Sequence, residues 1–375
     1  MIRAVQCVDV LAGGVFALLQ ACSSHMTDAC FDYIVGEKVT PAQRAAVERL
    51  GGEVVADGAA TGAALERAVR RAAKGGADTV FHVHRSFRSL EPARLARVAG
   101  FRAVAVHAHN VYPPSSALVG FYRVLFRRQI KRYVDVSCAC SRASLEQLFG
   151  AHPKRPEVIP NPVDAARFRF SDEARARVRA ELGLGDRPVV VHCGLPIPQK
   201  NHTFLLAVFA ELRRGLPGAA LLLVGPSEQD APQLVARCAE LGLSRDAVHM
   251  VGHVDNVPDL LSAADVVCFP STNEGVPLAL LEAQASGLPV VASKAIDPEV
   301  DLFGHMRFVG LDEPLPVWAS ALGGALREGR HEVTPAMVAA TGHGVDACAE
   351  RLETLYRDLL GMPGVSREGS AHGRA

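Results

Sequence analysis

Residues 265–293 read DVVCFPSTNEGVPLALLEAQASGLPVVAS, and this stretch carries the clearest signal of the fold class. A β-branched run at 265–269 leads into a polar loop, an Ala/Leu-rich run beginning near Pro277, and a second β-rich run at 288–292. Two short apolar runs joined through a helix form a βαβ unit with parallel strands. Open α/β sheets bind ligands outside the carboxyl ends of such strands. The polar loop is therefore the first place to look for a site.

The same alternation extends along the rest of the chain. The other β-rich runs are short and apolar and comprise 31–35, 79–83, 102–106, 134–138, 188–192, 220–224 and 247–250. Pro160 and Pro162 interrupt the pattern, because two prolines so close together fit neither a helix nor a central strand. We therefore predict an α/β protein of two Rossmann-like domains, at 1–164 and 165–344.

The last helical run, 345–361, has its own apolar face. Leu352, Leu355, Tyr356 and Leu359 recur at spacings of three and four residues, which marks one buried side of a helix. We expect residues 362–375 to form a disordered tail.

The composition is typical of a globular protein. Of the 375 residues, 49% are hydrophobic and 21% are charged, as in a globular protein with a large core. The net charge is zero, yet residues 1–165 hold 21 basic and 14 acidic side chains against 19 and 26 in the remainder. The basic half suits an anionic acceptor or a membrane surface, although such asymmetry is also common without a functional reason. The nine cysteines follow no metal-ligand or disulfide-framework spacing, so we expect reduced thiols and a cytoplasmic location.

Membrane insertion is not expected. The apolar stretch 1–22 contains Asp9, so we interpret it as a first core strand with a glycine loop rather than as a signal peptide. No uncharged apolar run elsewhere is long enough to span a bilayer. The basic amphipathic stretch 121–133 suggests peripheral contact with anionic lipid at the inner face of the plasma membrane. An ordinary helix with one solvated basic face is the alternative.

Two carboxylates flank the loop-to-helix junction. Glu274 lies in the polar loop and Glu282 lies one to two turns into the helix, so about 10 Å separates them. That spacing suits one carboxylate on a sugar ring and the other on ribose hydroxyls. The amides of Gly275 and Val276, with Pro277 opening the helix, are placed to meet an anion or sugar hydroxyls. Alternatively, Glu274 caps the helix and Glu282 is solvated, but their joint placement favours ligand binding.

A lysine follows another predicted strand. Lys200 lies beyond the run 188–192 and Gly194, beside the free amides at the start of the next helix. That position suits a diphosphate, because helix amides and a cation both attract phosphate oxygens. A solvated lysine at a helix start is the alternative.

Four histidines end two predicted strands. His82 and His84 share one face of the first strand, as His107 and His109 do on the next, because alternate strand residues point the same way. Each can donate a hydrogen bond or hold a proton near neutral pH. Four histidines also suggest a metal site, but the chain has no Asp-x-Asp motif, so we predict polar residues lining a ligand site and no metal.

Together these segments resemble glycosyltransferase family 4. The resemblance rests on the Glu274-to-Glu282 spacing, on VIPNPVD at 158–164 and on GHVDNVPDLLSAAD at 252–265. The combination of HAHN at 107–110, CACS at 138–141 and LFG at 148–150 resembles the exopolysaccharide and capsule branch of that family. The resemblance covers the chain except its tail. It implies the GT-B fold, with two Rossmann-like domains, a cleft between them, and a C-terminal helix that returns to the N-terminal domain.

The resemblance also implies an activity. Members of this family transfer a hexosyl group from a nucleoside-diphosphate sugar to a saccharide or lipid-linked acceptor, with retention of configuration and without a metal. No cofactor and no nucleic-acid partner are implied. By resemblance, Glu274 contacts hydroxyls of the donor sugar, Glu282 contacts the ribose and Lys200 contacts the leaving diphosphate. His109 matches the position that acts near the reacting bond, and Gly14 lines the cleft.

Two positions depart from the family pattern. Leu195 stands where the family usually has an arginine that pairs with the lysine, and Phe16 stands where the branch often has a glutamate. These departures leave open a catalytically weak or inactive sugar-nucleotide binder. A sugar-nucleotide 2-epimerase of similar architecture is a further alternative, although the sequence at 161–164 and the two carboxylates fit it less well.

Overall fold

The computed structural model describes residues 1–75, 79–110 and 117–362. These residues form two separate parallel sheets with helices between their strands, so the predicted α/β class with two Rossmann-like domains is confirmed. Of the expected tail at 362–375, residues 363–375 lie outside the described residues. Within the described ranges, no helix combines the length and the apolar character needed to cross a membrane.

The first sheet has seven strands in the order β3-β2-β1-β4-β5-β6-β7, and every neighbouring pair is parallel. In chain order its strands are β1 (Ile2–Val8), β2 (Ala29–Val35), β3 (Val54–Ala56), β4 (Thr79–Val83), β5 (Ala103–Ala108), β6 (Val136–Ala139) and β7 (Pro156–Val158). β2, β4, β5 and β6 are buried along their whole length, which explains their nearly continuous apolar sequences.

The second sheet has six strands in the order β10-β9-β8-β11-β12-β13, again all parallel. In chain order its strands are β8 (Val189–Cys193), β9 (Ala220–Val224), β10 (Val248–Gly252), β11 (Val266–Phe269), β12 (Val290–Ser293) and β13 (Arg307–Val309). β8 and β11 are neighbours although they are not consecutive in the chain. The strand order reverses between them, and such a reversal is where open α/β sheets bind ligands.

Helices follow most strands. In the first half of the chain they are α1 (Gly13–Ser23), α2 (Pro41–Arg49), α3 (Gly62–Ala72), α4 (Leu90–Ala99), α5 (Ala117–Ile130) and α6 (Arg142–Phe149). In the second half they are α7 (Asp172–Glu181), α8 (His202–Gly215), α9 (Pro232–Glu240), α10 (Val257–Ala263), α11 (Leu278–Ala285), α12 (Leu315–Glu328), α13 (Pro335–Ala340) and α14 (Val345–Leu360). Short 3₁₀ turns lie at Ala73–Gly75, Ser86–Ser89, Pro198–Lys200 and Pro298–Val300. Local sequence sets several helix starts; Thr40 and Gln43, for example, form a reciprocal capping box before α2.

The chain divides into two compact units. The first comprises Met1–His109, Pro114–Ile159 and Asp346–Ala375, and the second comprises Asn110–Pro113 and Pro160–Val345. We predicted the division after residue 164, but residues 160–164 group with the second unit. Two hydrogen bonds hold them there. The Asn161 side-chain amide donates to the Val276 carbonyl at 2.6 Å, and the Val163 backbone amide donates to the His343 carbonyl at 2.8 Å.

The C-terminal helix α14 packs within the first unit. Its Tyr356 is fully buried and accepts a hydrogen bond from the Gln6 amide at 3.2 Å. The Glu353 carboxylate oxygen Oε1 accepts hydrogen bonds from the backbone amides of Thr27 and Asp28, with both N–O distances 2.7 Å. These contacts join residues more than 300 positions apart in the chain. The apolar stripe of the helix therefore finds its partner in the first sheet and its surroundings.

Candidate functional site

Lys200 and Glu274 form an ion pair where β8 and β11 end. The Lys200 Nζ donates to Glu274 Oε1 at 2.8 Å, and the two side chains are only 15% and 6% exposed. The same ammonium lies 4.6 Å from the centre of the Phe269 ring. A Cβ at Gly194 would come within 3.1 Å of the Lys200 stem, so a glycine there gives the lysine room to lie across the loop. The structure thus brings together two residues that are 74 positions apart.

The loops that carry this pair are tied to each other. The Gln199 side-chain amide donates to the Asn273 carbonyl at 2.6 Å, and the Thr272 amide donates to the Gln199 carbonyl at 2.9 Å. Asn201, in the left-handed region with φ of 55°, donates its side-chain amide to the Pro270 carbonyl at 3.1 Å. These hydrogen bonds hold the loop after β8 and the loop after β11 in a fixed position relative to each other.

Backbone amides lie unused beside the ion pair. Gly275 and Val276 are buried, and no described residue accepts a hydrogen bond from either amide. The Val276 carbonyl is held by Asn161, so the peptide direction in this loop is set. Pro277 is the N-cap residue, and α11 starts one residue later than predicted. Gly275 and Val276 precede the N-cap, and unpaired amides next to a helix start can donate to anions and hydroxyl oxygens.

Glu282 lies on α11, partly buried, with no described residue bonding its carboxylate. Burial raises the pKa of Glu282 to about 7, against a smaller lowering by Arg167. Burial, and secondarily the Glu282 charge, also raise the pKa of the Cys193 thiol, which places this carboxylate near the end of β8. Glu282 is therefore an unsatisfied acceptor beside the same strand end as Lys200.

The four histidines lie together in the first unit, linked to residues that the sequence did not single out. His84 Nε2 lies 2.8 Å from Gln6 Oε1, and His84 Nδ1 lies 2.7 Å from His109 Nε2. His82 Nδ1 lies 2.8 Å from the Tyr356 hydroxyl, which the Gln6 amide also reaches. A hydrogen-bonded chain thus runs from α14 to the end of β5.

Burial keeps this chain of histidines neutral. It lowers the pKa of His82 to about 3 and that of His109 to about 4, and it lowers the pKa values of His84 and His107 well below the ordinary value. Neutral imidazoles carry one donor and one acceptor nitrogen each. The hydrogen-bond partners of His82, His84 and His109 therefore determine the tautomers of these three rings.

A metal fits this group poorly. His82, His84 and His107 each place one ring nitrogen within 4.8 Å of the others. Both ring nitrogens of His84, however, are already engaged, by Gln6 and by His109. Coordination through His84 would break one of these buried hydrogen bonds, so we interpret His82, His84 and His109 as members of a hydrogen-bonded chain. Neither ring nitrogen of His107 has a hydrogen-bond partner among the described residues.

Gly14 and Phe16 lie at the start of α1. Gly13 opens the helix with φ of 68°, a conformation that favours glycine, and Gly14 is exposed in its first turn. Phe16 is 7% exposed and packs edge-on against Tyr33, with ring centres 6.0 Å apart. Phe16 therefore belongs to the core and offers no polar group to a ligand.

Gln6 and Tyr356 were missed because each reads as a core residue. Gln6 lies inside the apolar strand β1 and is fully buried. An amide in such a strand must find hydrogen-bond partners, and this is the one local signal that the sequence offered. Tyr356 lies within the leucine stripe of α14, where its hydroxyl is invisible to a hydrophobic pattern.

Comparison with known proteins identifies the family. Residues 36–167 match the model for Glycosyltransferase Family 4, and residues 187–307 match the model for Glycosyl transferases group 1. EpsF of Bacillus subtilis, named as a glycosyltransferase, is 32% identical over 282 residues, which are 70% of this chain and 70% of that protein. The chain belongs to glycosyltransferase family 4. A mannosyltransferase of Mycolicibacterium smegmatis, named as GDP-mannose-dependent and acting on phosphatidylinositol monomannoside, is 32% identical over 63% of this chain and 64% of its own length.

Solved structures show that this glycosyltransferase has the GT-B fold. HepE of Anabaena, crystallised with UDP-glucose, superposes with a TM-score of 0.73 at 19% identity, covering 96% of this chain and 99% of HepE. WaaG, a glycosyltransferase of lipopolysaccharide biosynthesis, superposes with a TM-score of 0.64 at 15% identity, covering 96% and 100%. At these identities the likeness concerns the fold.

Leu195 and Phe16, the two residues that depart from the family pattern, are both apolar. Phe16 is buried, whereas Leu195 is exposed. Leu195 is 47% exposed in the loop after β8, and its neighbour Ile197 is 42% exposed. Arg85, which follows β4, could in principle replace the missing arginine, but it is buried and donates through Nε to Asp9 at 2.7 Å in the first unit. Arg88 lies 3.4 Å from the same carboxylate. Both guanidinium groups therefore already have an acidic partner.

Proposed function

We propose that this enzyme transfers a hexosyl group from a nucleoside-diphosphate sugar to a saccharide or lipid-linked acceptor, with retention of configuration. The observation that carries the proposal is the Lys200–Glu274 pair beside the unused amides of Gly275 and Val276. A cation and free amides suit a diphosphate, and a carboxylate suits sugar hydroxyls. Support comes from HepE, crystallised with UDP-glucose, and from the mycolicibacterial relative, named as GDP-mannose-dependent.

Each residue then has a role in the proposed reaction. Lys200 stabilises the negative charge that develops on the departing nucleotide diphosphate, so no metal is needed for that step. Glu274 accepts hydroxyls of the donor sugar, and Glu282 accepts the ribose hydroxyls. His109 assists at the sugar, and the acceptor hydroxyl attacks the face that the nucleotide leaves. Likeness to EpsF favours a role in exopolysaccharide or other cell-surface glycan synthesis.

A binder with little catalysis is the second candidate, and Leu195 favours it. The loop after β8 offers Lys200 as a cation, and Glu274 already neutralises that cation. Incubation with a panel of sugar nucleotides and candidate acceptors, followed by mass spectrometry, tests the proposal. A product heavier than the acceptor by one hexosyl group is expected. Nucleotide binding without transfer or donor hydrolysis across the panel would favour the binder instead.

Leu195→Arg is expected to strengthen nucleoside-diphosphate binding by roughly three- to thirty-fold. An arginine can form paired hydrogen bonds to phosphate oxygens, and a lysine cannot match that geometry. Calorimetric titration with nucleoside diphosphate and monophosphate measures the gain, which must appear for the diphosphate and be largely absent for the monophosphate. Val317→Arg, at a position 42% exposed on α12, controls for added positive charge. Equal gains in both variants would exclude a specific phosphate contact.

Donor binding is expected to weaken about tenfold between pH 8 and pH 6 through Glu282. The pKa of this carboxyl is raised to about 7, so it is mostly ionised at pH 8 and mostly protonated at pH 6. Ribose hydroxyls need an acceptor, so binding favours the ionised form and affinity falls as pH falls through 7. An intact sugar nucleotide is the right ligand, because a terminal phosphate would itself titrate near pH 6. Glu282→Gln should bind weakly at every pH; a persisting pH dependence would assign the titration elsewhere.

We also propose that α5 contacts an anionic membrane surface. Phe121 and Tyr122 are 59% and 61% exposed, whereas Arg128, Lys131 and Arg132 are exposed on and just beyond the same helix. Exposed aromatic side chains beside basic ones suit the interface of a bilayer that carries negative headgroups. A lipid-linked acceptor would be presented at that surface.

Vesicle sedimentation tests the membrane contact. We expect more protein to sediment with vesicles containing anionic phospholipid than with purely zwitterionic vesicles. Phe121→Ser together with Tyr122→Ser should reduce that fraction several-fold, because the two aromatic rings that would insert into the bilayer interface are lost. Met337→Ser, at a residue 41% exposed on α13, is the matched control. Equal sedimentation with both vesicle types would contradict the proposal.

A further inference from the structure

One unbroken chain of hydrogen bonds leads from α14 to His109. The Gln6 side chain is its central element, because its amide nitrogen reaches the Tyr356 hydroxyl at 3.2 Å and its oxygen reaches His84 Nε2 at 2.8 Å. His84 Nδ1 then reaches His109 Nε2 at 2.7 Å. Gln6, His84 and Tyr356 are at most 8% exposed, so water does not compete for these bonds.

With the Gln6 amide oriented in this way, counting protons along the chain fixes the tautomers of His84 and His109. The Gln6 oxygen can only accept, so His84 must carry its proton on Nε2 and present a lone pair at Nδ1. That lone pair requires a proton on His109 Nε2. His109 Nδ1 is then left as an acceptor, and no described residue bonds it. Tyr356 accepts from Gln6 and can donate its own proton to His82 Nδ1, 2.8 Å away.

We propose that Gln6, His84 and Tyr356 are positioning residues that hold His109 as its Nε2–H tautomer and keep His109 Nδ1 as a hydrogen-bond acceptor. The ligand chemistry that such a nitrogen takes is a hydroxyl group. The inference rests on the proposed function, in which His109 acts at the donor sugar. It adds which atom of His109 receives a sugar hydroxyl and which residues decide this.

The direction of the whole chain depends on one amide. Turning the Gln6 side chain over would exchange its oxygen and nitrogen, and each hydrogen bond along the chain would reverse. His109 would then carry its proton on Nδ1 and would donate to a sugar hydroxyl instead of accepting from it. The Tyr356 hydroxyl accepts from the Gln6 side-chain nitrogen and so keeps that nitrogen toward α14. The C-terminal helix therefore helps to determine the tautomer of His109 at the end of β5.

Burial makes the arrangement persist at neutral pH. The pKa of His109 is lowered to about 4, and those of His82, His84 and His107 are lowered too, so none of the four gains a second proton near pH 7. The charged groups next to the end of β4 are Arg85 and Asp9, which pair with each other. A doubly protonated ring would donate from both nitrogens and erase the distinction between tautomers.

Nuclear magnetic resonance of the full-length protein labelled with ¹⁵N-histidine tests the proposal directly. Long-range ¹H–¹⁵N correlations distinguish the Nδ1–H, Nε2–H and doubly protonated forms of each ring, and His109→Gln identifies the His109 signals by their loss. We expect the Nε2–H form at both His84 and His109 at pH 7. An Nδ1–H or doubly protonated His109 would overturn the inference.

Two variants test which residues hold the tautomer. Gln6→Met keeps side-chain length but removes the amide, and Tyr356→Phe removes only the hydroxyl that Gln6 uses. In each, Nδ1–H signal is expected to appear at His109, whereas Ser89→Ala, at another buried polar side chain of the first unit, should leave the pure Nε2–H pattern. Folding of each variant is checked by circular dichroism. An unchanged His109 tautomer in folded Gln6→Met contradicts the assignment.

Kinetics separate this inference from the proposed function. Gln6→Met should lower kcat up to about tenfold, the worth of one hydrogen bond, with donor KM within about twofold because the nucleotide contacts lie in the second unit. A mainly raised donor KM would count against a positioning role. His109→Ala tests the proposed function itself: an unchanged kcat would remove His109 from the reaction, while the tautomer measurement would still decide whether Gln6 and His84 hold the ring.

Discussion

Lys200→Met is expected to lower kcat/KM by about 10²–10³-fold, the range found when one preorganised charge-stabilising group is removed from an active site. The lysine is the cation of the β8 loop, and Leu195 adds no second one. Its loss should fall mainly on kcat, because charge on the leaving diphosphate grows in the transition state. Steady-state kinetics with the donor identified by the product screen would measure both parameters.

The ion pair with Glu274 complicates this variant and also supplies its control. Glu274 is 6% exposed, so removing Lys200 leaves a buried carboxylate without its partner, which costs about 3–5 kcal/mol of stability. The double variant Lys200→Met/Glu274→Gln removes that unpaired charge and should recover most of the stability measured by chemical denaturation. Activity should remain low in the double variant.

Those two readouts separate a catalytic lysine from a structural one. A double variant as active as Glu274→Gln alone would show that Lys200 matters only as the partner of Glu274. Lys294→Met, at an exposed lysine after β12, controls for the loss of one positive charge and should leave both readouts unchanged.

Deleting residues 345–375 is expected to unfold the first unit. Helix α14 buries Leu352, Leu355, Tyr356 and Leu360, each at most 5% exposed. At about 1.5–3 kcal/mol for each large side chain, their burial contributes about 6–12 kcal/mol, as much as the whole stability of an ordinary domain. The hydrogen bonds to Glu353 are lost as well. Soluble yield and thermal unfolding would record the loss.

A shorter deletion is the matched control. A chain that stops after Met362 retains all of α14 and every contact described for it, so it should match the full-length protein in yield and in thermal midpoint. A milder variant, Leu352→Ala, should cost about 2–5 kcal/mol and keep the protein folded enough to measure. If the chain lacking residues 345–375 unfolded at the same temperature as the full-length protein, α14 would not be needed to stabilise the first unit.

Local sequence determined the class of fold and half of the residues of the candidate site. The period of apolar residues is a property of neighbouring positions, so β4, β5, β8, β9 and β11 are found within about two residues of their predicted bounds. The same holds for the loop that carries Glu274 and for the helix that carries Glu282. The three-residue strands β3, β7 and β13 are too short to show any period, and they join their sheets through the strands beside them.

The tertiary structure alone decided which polar groups meet. The Lys200–Glu274 pair spans 74 positions, the bond between His82 and Tyr356 spans 274, and that between Gln6 and Tyr356 spans 350. No periodicity connects positions so far apart, because the contact depends on strand order and on where α14 docks. Residues 160–164 joined the second unit for the same reason, through hydrogen bonds to residues more than 100 positions away. The sequence therefore identified the candidate polar residues of this glycosyltransferase. Tertiary packing determined their hydrogen-bond partners, their protonation and the direction of each hydrogen bond, because a buried polar atom depends on the neighbours that the fold supplies.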